Sequence, residues 1–197
     1  MGLAQVVRLK TFMTKRRDEV HAGGLWHRSV AVWVVDPIKR AVLIQQRTQH
    51  KDTNPNCWDV AVAGHIGAGE ETLGTALRET AEEIGLAVQP YELRPLFTAV
   101  SSQAGHTVGR GQFYDNEYQD VYMFSMELGS DERIATLRLG ASEVAALRTI
   151  HWDHLEAALR AGDPSFVPYC TSYVEMLGWH SGLSSTHSGL PSNAGHS

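Results

Sequence analysis

Cysteine is scarce in this chain. Its 197 residues contain only Cys57 and Cys170, with no CxxC pair. That excludes a disulfide-stapled scaffold and a cysteine-rich metal site, and it favours a reducing compartment, with the cytosol as the expected location. Long apolar runs are also missing; none approaches the ~18 residues that a membrane-spanning helix requires. Positive charge is not in excess, since 17 Lys and Arg face 22 Asp and Glu for a formal charge of −5. A general nucleic-acid-binding surface is therefore not expected, although a bound cation would still admit phosphate ligands locally. Acidic residues are absent from the first 17 positions, which carry Arg8, Lys10, Lys15, Arg16 and Arg17. That run has a trace of organelle transit character, but an edge strand and a charged turn explain it more simply.

What is present is ordinary for a soluble globular domain: 43% apolar and 20% charged residues, in a length that suits one domain. Residues 26–35 and 40–46 are short β-prone runs around an Asp36-Pro37 turn, so 26–46 reads as a hairpin. Residues 58–63 alternate as a strand that stops at Gly64. Leu73, Ala76, Leu77, Thr80, Ala81 and Ile84 recur at helical spacing and predict a helix over 72–84, with Gly85 ending it. Strands are expected near 93–101 and 119–128, separated by a long polar loop, 102–118. A weak strand or turn at 142–150, a helix at 152–161 and a terminal helix at 168–179 follow. The chain thus reads as a single domain over 1–179, with 1–20 as its N-terminal strand and turn region and 180–197 as a disordered tail. Strands around one central helix make the class α/β, with a mixed sheet between helices.

The informative stretch runs from Gly64 to Leu86, GHIGAGEETLGTALRETAEEIGL. Advancing about 100° per residue, Glu79, Glu82 and Glu83 fall within one arc of the helix, read here as lying off the apolar stripe. Like charges at these spacings cost roughly 0.2–0.5 kcal/mol per pair, and only Arg78 is close enough in sequence to relieve them. A hard divalent cation relieves them better, and Mg²⁺ in particular shares its shell between carboxylates, waters and substrate phosphates. On RExxEE alone, a solvated acidic face remains the simpler account.

The flanking residues decide between the two. Gly64, five residues, Glu70, seven residues, then Arg78-Glu79-Thr80-Ala81-Glu82-Glu83-Ile84-Gly85-Leu86 resembles the Nudix box position by position. Seven fixed positions at ordinary usage match by chance on the order of 10⁻⁹ per starting point. The resemblance implies a Nudix fold, an α/β/α sandwich, and a Mg²⁺- or Mn²⁺-dependent hydrolase that cleaves a diphosphate linkage in a nucleotide or other nucleoside-diphosphate-type small molecule. It further implies Glu79, Glu82 and Glu83 as metal ligands, with the Gly64 carbonyl as another. Arg78 would orient a ligand carboxylate and Glu70 would support the loop. Glu79, Glu82 and Arg78 are the catalytic candidates, and a residue from 102–120 competes with Glu82 as general base. Thr80 stands where the family has an aliphatic residue, so slightly weaker packing is expected there.

A second resemblance lies outside the box. His21-Ala22-Gly23-Gly24-Leu25-Trp26-His27-Arg28, Val62-Ala63-Gly64-His65 and Asp115-Asn116-Glu117 are similar to segments of the type 1 isopentenyl-diphosphate isomerases. That branch implies a second metal site from His21, His27, His65, Asp115 and Glu117, of a ligand set suited to Mn²⁺ or Zn²⁺. The isomerase catalytic cysteine falls at Ala63, which cannot move a proton, and Cys57 lies in a different loop. The complete acidic box also favours hydrolysis over isomerisation and over a binding module without turnover.

Substrate contacts are expected from Arg47 and Lys51 after the second strand, and from Arg110 and Tyr114 in the polar loop, where Phe113 and Tyr118 also lie. Asp120 joins Glu117 as a candidate for an extra ligand or base. Trp26, Trp33 and Trp58 are read as core residues, and Trp152 and Trp179 as helix-packing residues. The partner is a small-molecule diphosphate, and the oligomeric state stays open.

Overall fold

The computed structural model of the chain describes residues 14–51, 53–107, 111–129 and 134–183. Along it run α1 (Arg17–Ala22), β1 (Trp26–Asp36), β2 (Ala41–Arg47), β3 (Trp58–Val60), β4 (Val62–His65) and α2 (Thr72–Ile84). A 3₁₀ turn at Pro90–Glu92 leads to β5 (Leu93–Thr107), β6 (Gly111–Ser125), β7 (Val144–His151), α3 (Trp152–Ala161) and α4 (Thr171–Ser181).

β1 is the centre of a mixed sheet. It runs parallel to β6 from Trp26↔Asn116 to Val35↔Ser125, and antiparallel to β2 only at its far end, Val34↔Leu43 to Asp36↔Ala41. There the two strands part. The 58–65 stretch enters the fork, with β3 bonding to β2 and β4 bonding to β1 through Ser29↔His65 to Val32↔Val62. β7 covers the other edge of β2, and β5 the outer edge of β6.

Strand alternation sorts the core into two layers. Ala31, Trp33 and Val35 face one side, with Val121, Met123 and the α3 and α4 residues Trp152, Leu155, Val174 and Leu177. Val30, Val32 and Val34 face the other, with Leu43, Tyr122 and the α2 residues Ala76 and Ile84. This is the α/β/α sandwich expected. Because helices cover both faces, β1 is buried continuously from Ser29 to Asp36. Asp36 closes the hairpin: Oδ1 accepts from the N–H groups of Ile38 (3.1 Å) and Lys39 (3.0 Å), and Oδ2 from Leu128 (3.0 Å). Burial pushes its carboxyl up, but these three donors outweigh that and leave the pKa lowered.

Several local expectations need correction. The polar loop 102–118 is instead the far half of a long β5–β6 hairpin, with Thr107↔Gly111 its last pair and 108–110 outside the described residues. It carries too little apolar alternation to read as strand; polar cross-strand pairs such as Ser102 Oγ to Asn116 Oδ1 (2.6 Å) take the place of an apolar face. At the N-terminus, 17–22 is helical, with Asp18 and Glu19 in the first turn, where the helix dipole favours them. Residues 1–13 lie outside the described residues. The last helix runs on to Ser181, and Leu183 is buried, so the described chain passes the expected start of the tail; 184–197 lie outside it. Trp33 and Trp152 are core, and Trp58 is half-buried beneath the Arg148 guanidinium, 4.1 Å away. Trp26 is 49% exposed, where it stacks on Tyr118, and Trp179 is 57% exposed; neither is a core residue. Among the described residues no helix is long and apolar enough to cross a membrane.

Candidate active site

The three box glutamates are graded in burial, and the helical wheel explains why. Taking about 100° per residue, Glu83 lies only about 20° from Ala76, Glu79 about 60° and Glu82 about 120°. Glu83 therefore belongs to the buried face and not to a separate acidic one, and small Ala76 and Thr80 leave it room. It is 2% exposed, and its Oε2 accepts from Gln45 Nε2 (3.1 Å) and the Ala63 N–H (3.2 Å). Its Oε1 is buried with no hydrogen-bond partner. Burial pushes the Glu83 pKa up to about 8. Glu79 is also raised by burial, and it packs on Gly64, where an added Cβ would sit 2.4 Å from Glu79 Cδ. Glu82 is turned outward, its side chain 59% exposed. Ala81, expected on the apolar face, is exposed as well.

Arg78 ties this face together. Its Nη1 lies 2.9 Å from both Glu79 and Glu82, and its Nη2 meets Glu70 at 3.2 Å. The same Glu70 Oε2 accepts from the Gly67 N–H and Thr75 Oγ1, which locks the loop before α2. α2 ends at Gly85, whose φ of 71° favours glycine. Thr80 is fully buried without a polar penalty, because its Oγ1 donates to the Ala76 carbonyl at 2.6 Å.

Glu79 and Gly64 open into a cleft of about 830 Å³, whose lining also includes Arg17, Arg47, Lys51 and Glu143. Lys51 Nζ donates to Glu143 Oε2 at 2.6 Å, and that bond, against the opposing effect of burial, lowers the Glu143 pKa. Glu143 also lies beside Glu83. The pairing of β7 with β2 brings it there, since Val144 stands opposite Arg47. Arg47 spends three of its five N–H donors on Asp59 (3.0 Å) and on both oxygens of Thr53 (2.9 and 3.1 Å), so it also pins the loop that follows β2.

A second cluster lines the same cleft. The imidazole centroids of His21, His27 and His65 are 4.9–5.5 Å apart. Ligand atoms of these three and of Asp115 all lie within 4.8 Å of one another. Glu117 adds an oxygen 3.1 Å from His65 Nε2 and 3.7 Å from His27 Nε2. Yet all three Nε2 atoms and Asp115 Oδ1 are buried without an aligned hydrogen bond. Burial opposes charge here, but Asp115 and Glu117 still push His27 up to about 10, and the histidines hold Glu117 well below the usual carboxylate range. His21, by contrast, is lowered by burial. Imidazole nitrogens and carboxylate oxygens gathered in this way fit a borderline divalent cation. The orphaned Glu83 Oε1 beside desolvated Glu79 likewise fits a hard one.

The family model for the NUDIX domain matches residues 25–170. The chain belongs to the Nudix family. It is 33% identical over 160 residues to Nudix hydrolase 3 of Arabidopsis thaliana, covering 81% of this chain but only 20% of that protein. It is 28% identical over 110 residues to the isopentenyl-diphosphate Delta-isomerase of Serratia proteamaculans, covering 56% of this chain and 57% of the enzyme. The chain thus spans well under two thirds of either protein. A crystal structure of a Deinococcus radiodurans protein shares the fold, with a TM-score of 0.56, 20% identity and coverage of 78% and 82% of the two chains.

In this Nudix chain the hairpin, and not a loop, decides which of the remaining candidates face the cleft. Alternation along β6 sends Asp115 and Glu117 inward and the even-numbered residues to the opposite face. Tyr114, expected as a substrate contact, packs over Gly24 and is not among the cleft-lining residues, whereas Arg47 and Lys51 are. Asp120 is turned away too, held by Arg28 and Thr98. Arg110 lies outside the described residues. Arg17, Ser29, Gln119 and Glu143 are cleft residues that sequence reasoning missed. Arg17 reads in the sequence only as part of the basic N-terminal run, Ser29, Gln119 and Glu143 are single polar residues without a motif, and only the fold brings the four to the site.

Proposed function

We propose that this Nudix chain hydrolyses the diphosphate linkage of a nucleoside-diphosphate-type small molecule with the help of Mg²⁺ or Mn²⁺. The observation that carries the reading is Glu83, a buried carboxyl group whose Oε1 has no aligned hydrogen-bond partner, next to Glu79 at the mouth of a cleft whose lining includes Arg17, Arg47 and Lys51. Glu79 and Glu83 would hold the ion, with Glu82 and the Gly64 carbonyl completing its protein ligands. Bound there, it supplies positive charge to the diphosphate oxygens as negative charge grows on them. Arg78 sets the orientation of Glu79 and Glu82. Lys51, Arg17 and the free edge of Arg47 attract the phosphates into the cleft. The proton leaving the attacking water goes to a carboxylate on the cleft wall. Glu79 and Glu143 line that wall, whereas Glu82 does not.

The His21, His27, His65, Asp115 and Glu117 cluster would hold a second ion, Mn²⁺ or Zn²⁺. Its assembly, together with the 28% identity to the Serratia proteamaculans isomerase, favours the isomerase reading. Against that reading, Ala63 lines the cleft with a methyl group where a thiol is needed, and Cys57 Sγ is directed to the Pro164 carbonyl.

A panel of nucleoside di- and triphosphates, dinucleotides, sugar nucleotides and isopentenyl diphosphate, assayed with Mg²⁺, Mn²⁺ or EDTA, tests the proposal. Metal-dependent release of phosphomonoesters or phosphate from a nucleotide is expected. Conversion of isopentenyl to dimethylallyl diphosphate with no hydrolysis of any nucleotide would reverse the assignment.

A further inference from the structure

The cleft floor beyond the ion sites is polar, and two of its groups have unspent hydrogen-bonding capacity. Ser29 sits on β1 directly between His65 of β4 and Gln119 of β6 in the sheet register. All three line the cleft. Ser29 is only 3% exposed, yet its Oγ has no hydrogen-bond partner. That is unusual for a buried hydroxyl, which can rotate to find an acceptor wherever one is in reach.

Gln119 is held from behind. The Trp33 indole N–H donates to Tyr173 Oη at 3.0 Å, which leaves the tyrosine hydroxyl proton for Gln119 Oε1 at 3.3 Å. With its oxygen engaged, the amide presents its NH₂ end as a donor. Neighbouring strands lie ≈4.8 Å apart, so the hydroxyl and the amide stand side by side, about one sugar ring across. The next residues along these strands on the same face, Ala31 and Val121, are fully buried core. On β1 and β6 the floor therefore ends on a polar row, while Val167, Pro168 and Tyr169 also line the cleft.

We infer that Ser29 and Gln119 form a subsite for the hydroxyl groups of the substrate's non-phosphate part, as on the ribose of a nucleoside diphosphate, and that they select such diphosphates over isoprenoid ones. The inference rests on the diphosphate reading above and adds which residues choose the organic group. A ribose hydroxyl on this row offers a partner to the Ser29 hydroxyl, which is already closed off from water without one, whereas an isoprenoid chain would leave it unpaired and would cover the half-buried Gln119 amide with nothing to bond. A site built around hydrogen bonds rejects a partner that lacks them far more strongly than an apolar site rejects a polar one. A cleft of about 830 Å³ holds a diphosphate with a group of that size.

Binding of three non-hydrolysable probes, measured by calorimetry with Mg²⁺ and Mn²⁺ present, tests this. They are methylenediphosphonate alone, α,β-methylene-ADP, and the dimethylallyl ester of methylenediphosphonate. The wild type should bind the nucleoside probe at least tenfold tighter than the bare anchor, and the dimethylallyl probe no tighter than the anchor. Ser29→Ala and Gln119→Leu should each remove most of the nucleoside advantage and leave anchor binding unchanged. Ser29→Ala should also melt at or above the wild-type temperature, because it deletes a hydroxyl that has no partner. A dimethylallyl probe that binds as tightly as the nucleoside, or a nucleoside advantage that survives both substitutions, overturns the subsite while leaving the diphosphate reading standing. Failure of the anchor itself to bind removes both.

Discussion

At the scale of single residues, the site depends on how closely backbone and carboxylate approach. Gly64 illustrates this. A methyl group there would overlap the Glu79 carboxyl carbon at 2.4 Å, so the side chain would have to swing out of the cleft. Gly64→Ala suits a strand backbone, and the fold should survive it. Turnover of the best nucleotide substrate should nevertheless fall roughly tenfold to hundredfold, the scale of a misplaced catalytic group. Steady-state kinetics beside a melting curve checks both halves; unchanged kcat would show that Glu79 does not need its present position. Glu83 follows a related logic. A carboxyl whose folded pKa is raised costs stability as pH climbs above the ordinary value of about 4.3, so the residue persists in spite of its energetics. Such cost is common at functional sites.

Among the elements, the β1–β2 hairpin is a small test of the fold. Asp36 accepts three backbone N–H bonds and links the turn to the segment after β6. Asp36→Asn keeps the shape but points an amide at one of those donors, so a loss of about 1–3 kcal/mol is expected from denaturant unfolding at pH 7. The sign with pH follows from the lowered pKa. The stabilisation is complete above the unfolded value of about 3.9 and fades as pH falls through the depressed folded value. The gap between wild type and variant should therefore narrow below about pH 4. A gap that widens in acid contradicts the assignment.

α2 and the first strands were legible in the sequence because periodicity and a motif agreed there. The β5–β6 hairpin was not, since 102–118 is Gly-punctuated and polar and its strand state comes from cross-strand pairing. The burial of Glu83 was readable from its place on the wheel beside Ala76, but its charge argued for solvent and concealed it. The convergence of His21, His27 and His65 on Asp115 needed four separate elements, α1, β1, β4 and β6, to meet, and spacing alone does not report that.

For the molecule as a whole, the fork between β1 and β2 is what makes a site. It admits β4, places Gly64 and His65 side by side, and lets α2 present Glu79 and Glu83 through the gap. Two candidate ion sites thereby share one cleft with Lys51, Arg17 and the polar floor. The most direct test of the central claim follows the products by ³¹P NMR when wild type and Glu83→Gln are given Mg²⁺ and a nucleoside diphosphate derivative. The wild type should cleave between the phosphorus atoms and yield two phosphate products. Glu83→Gln should fold, melt no lower than the wild type, and turn over at least a hundredfold more slowly. Equal turnover by the two proteins would contradict the account.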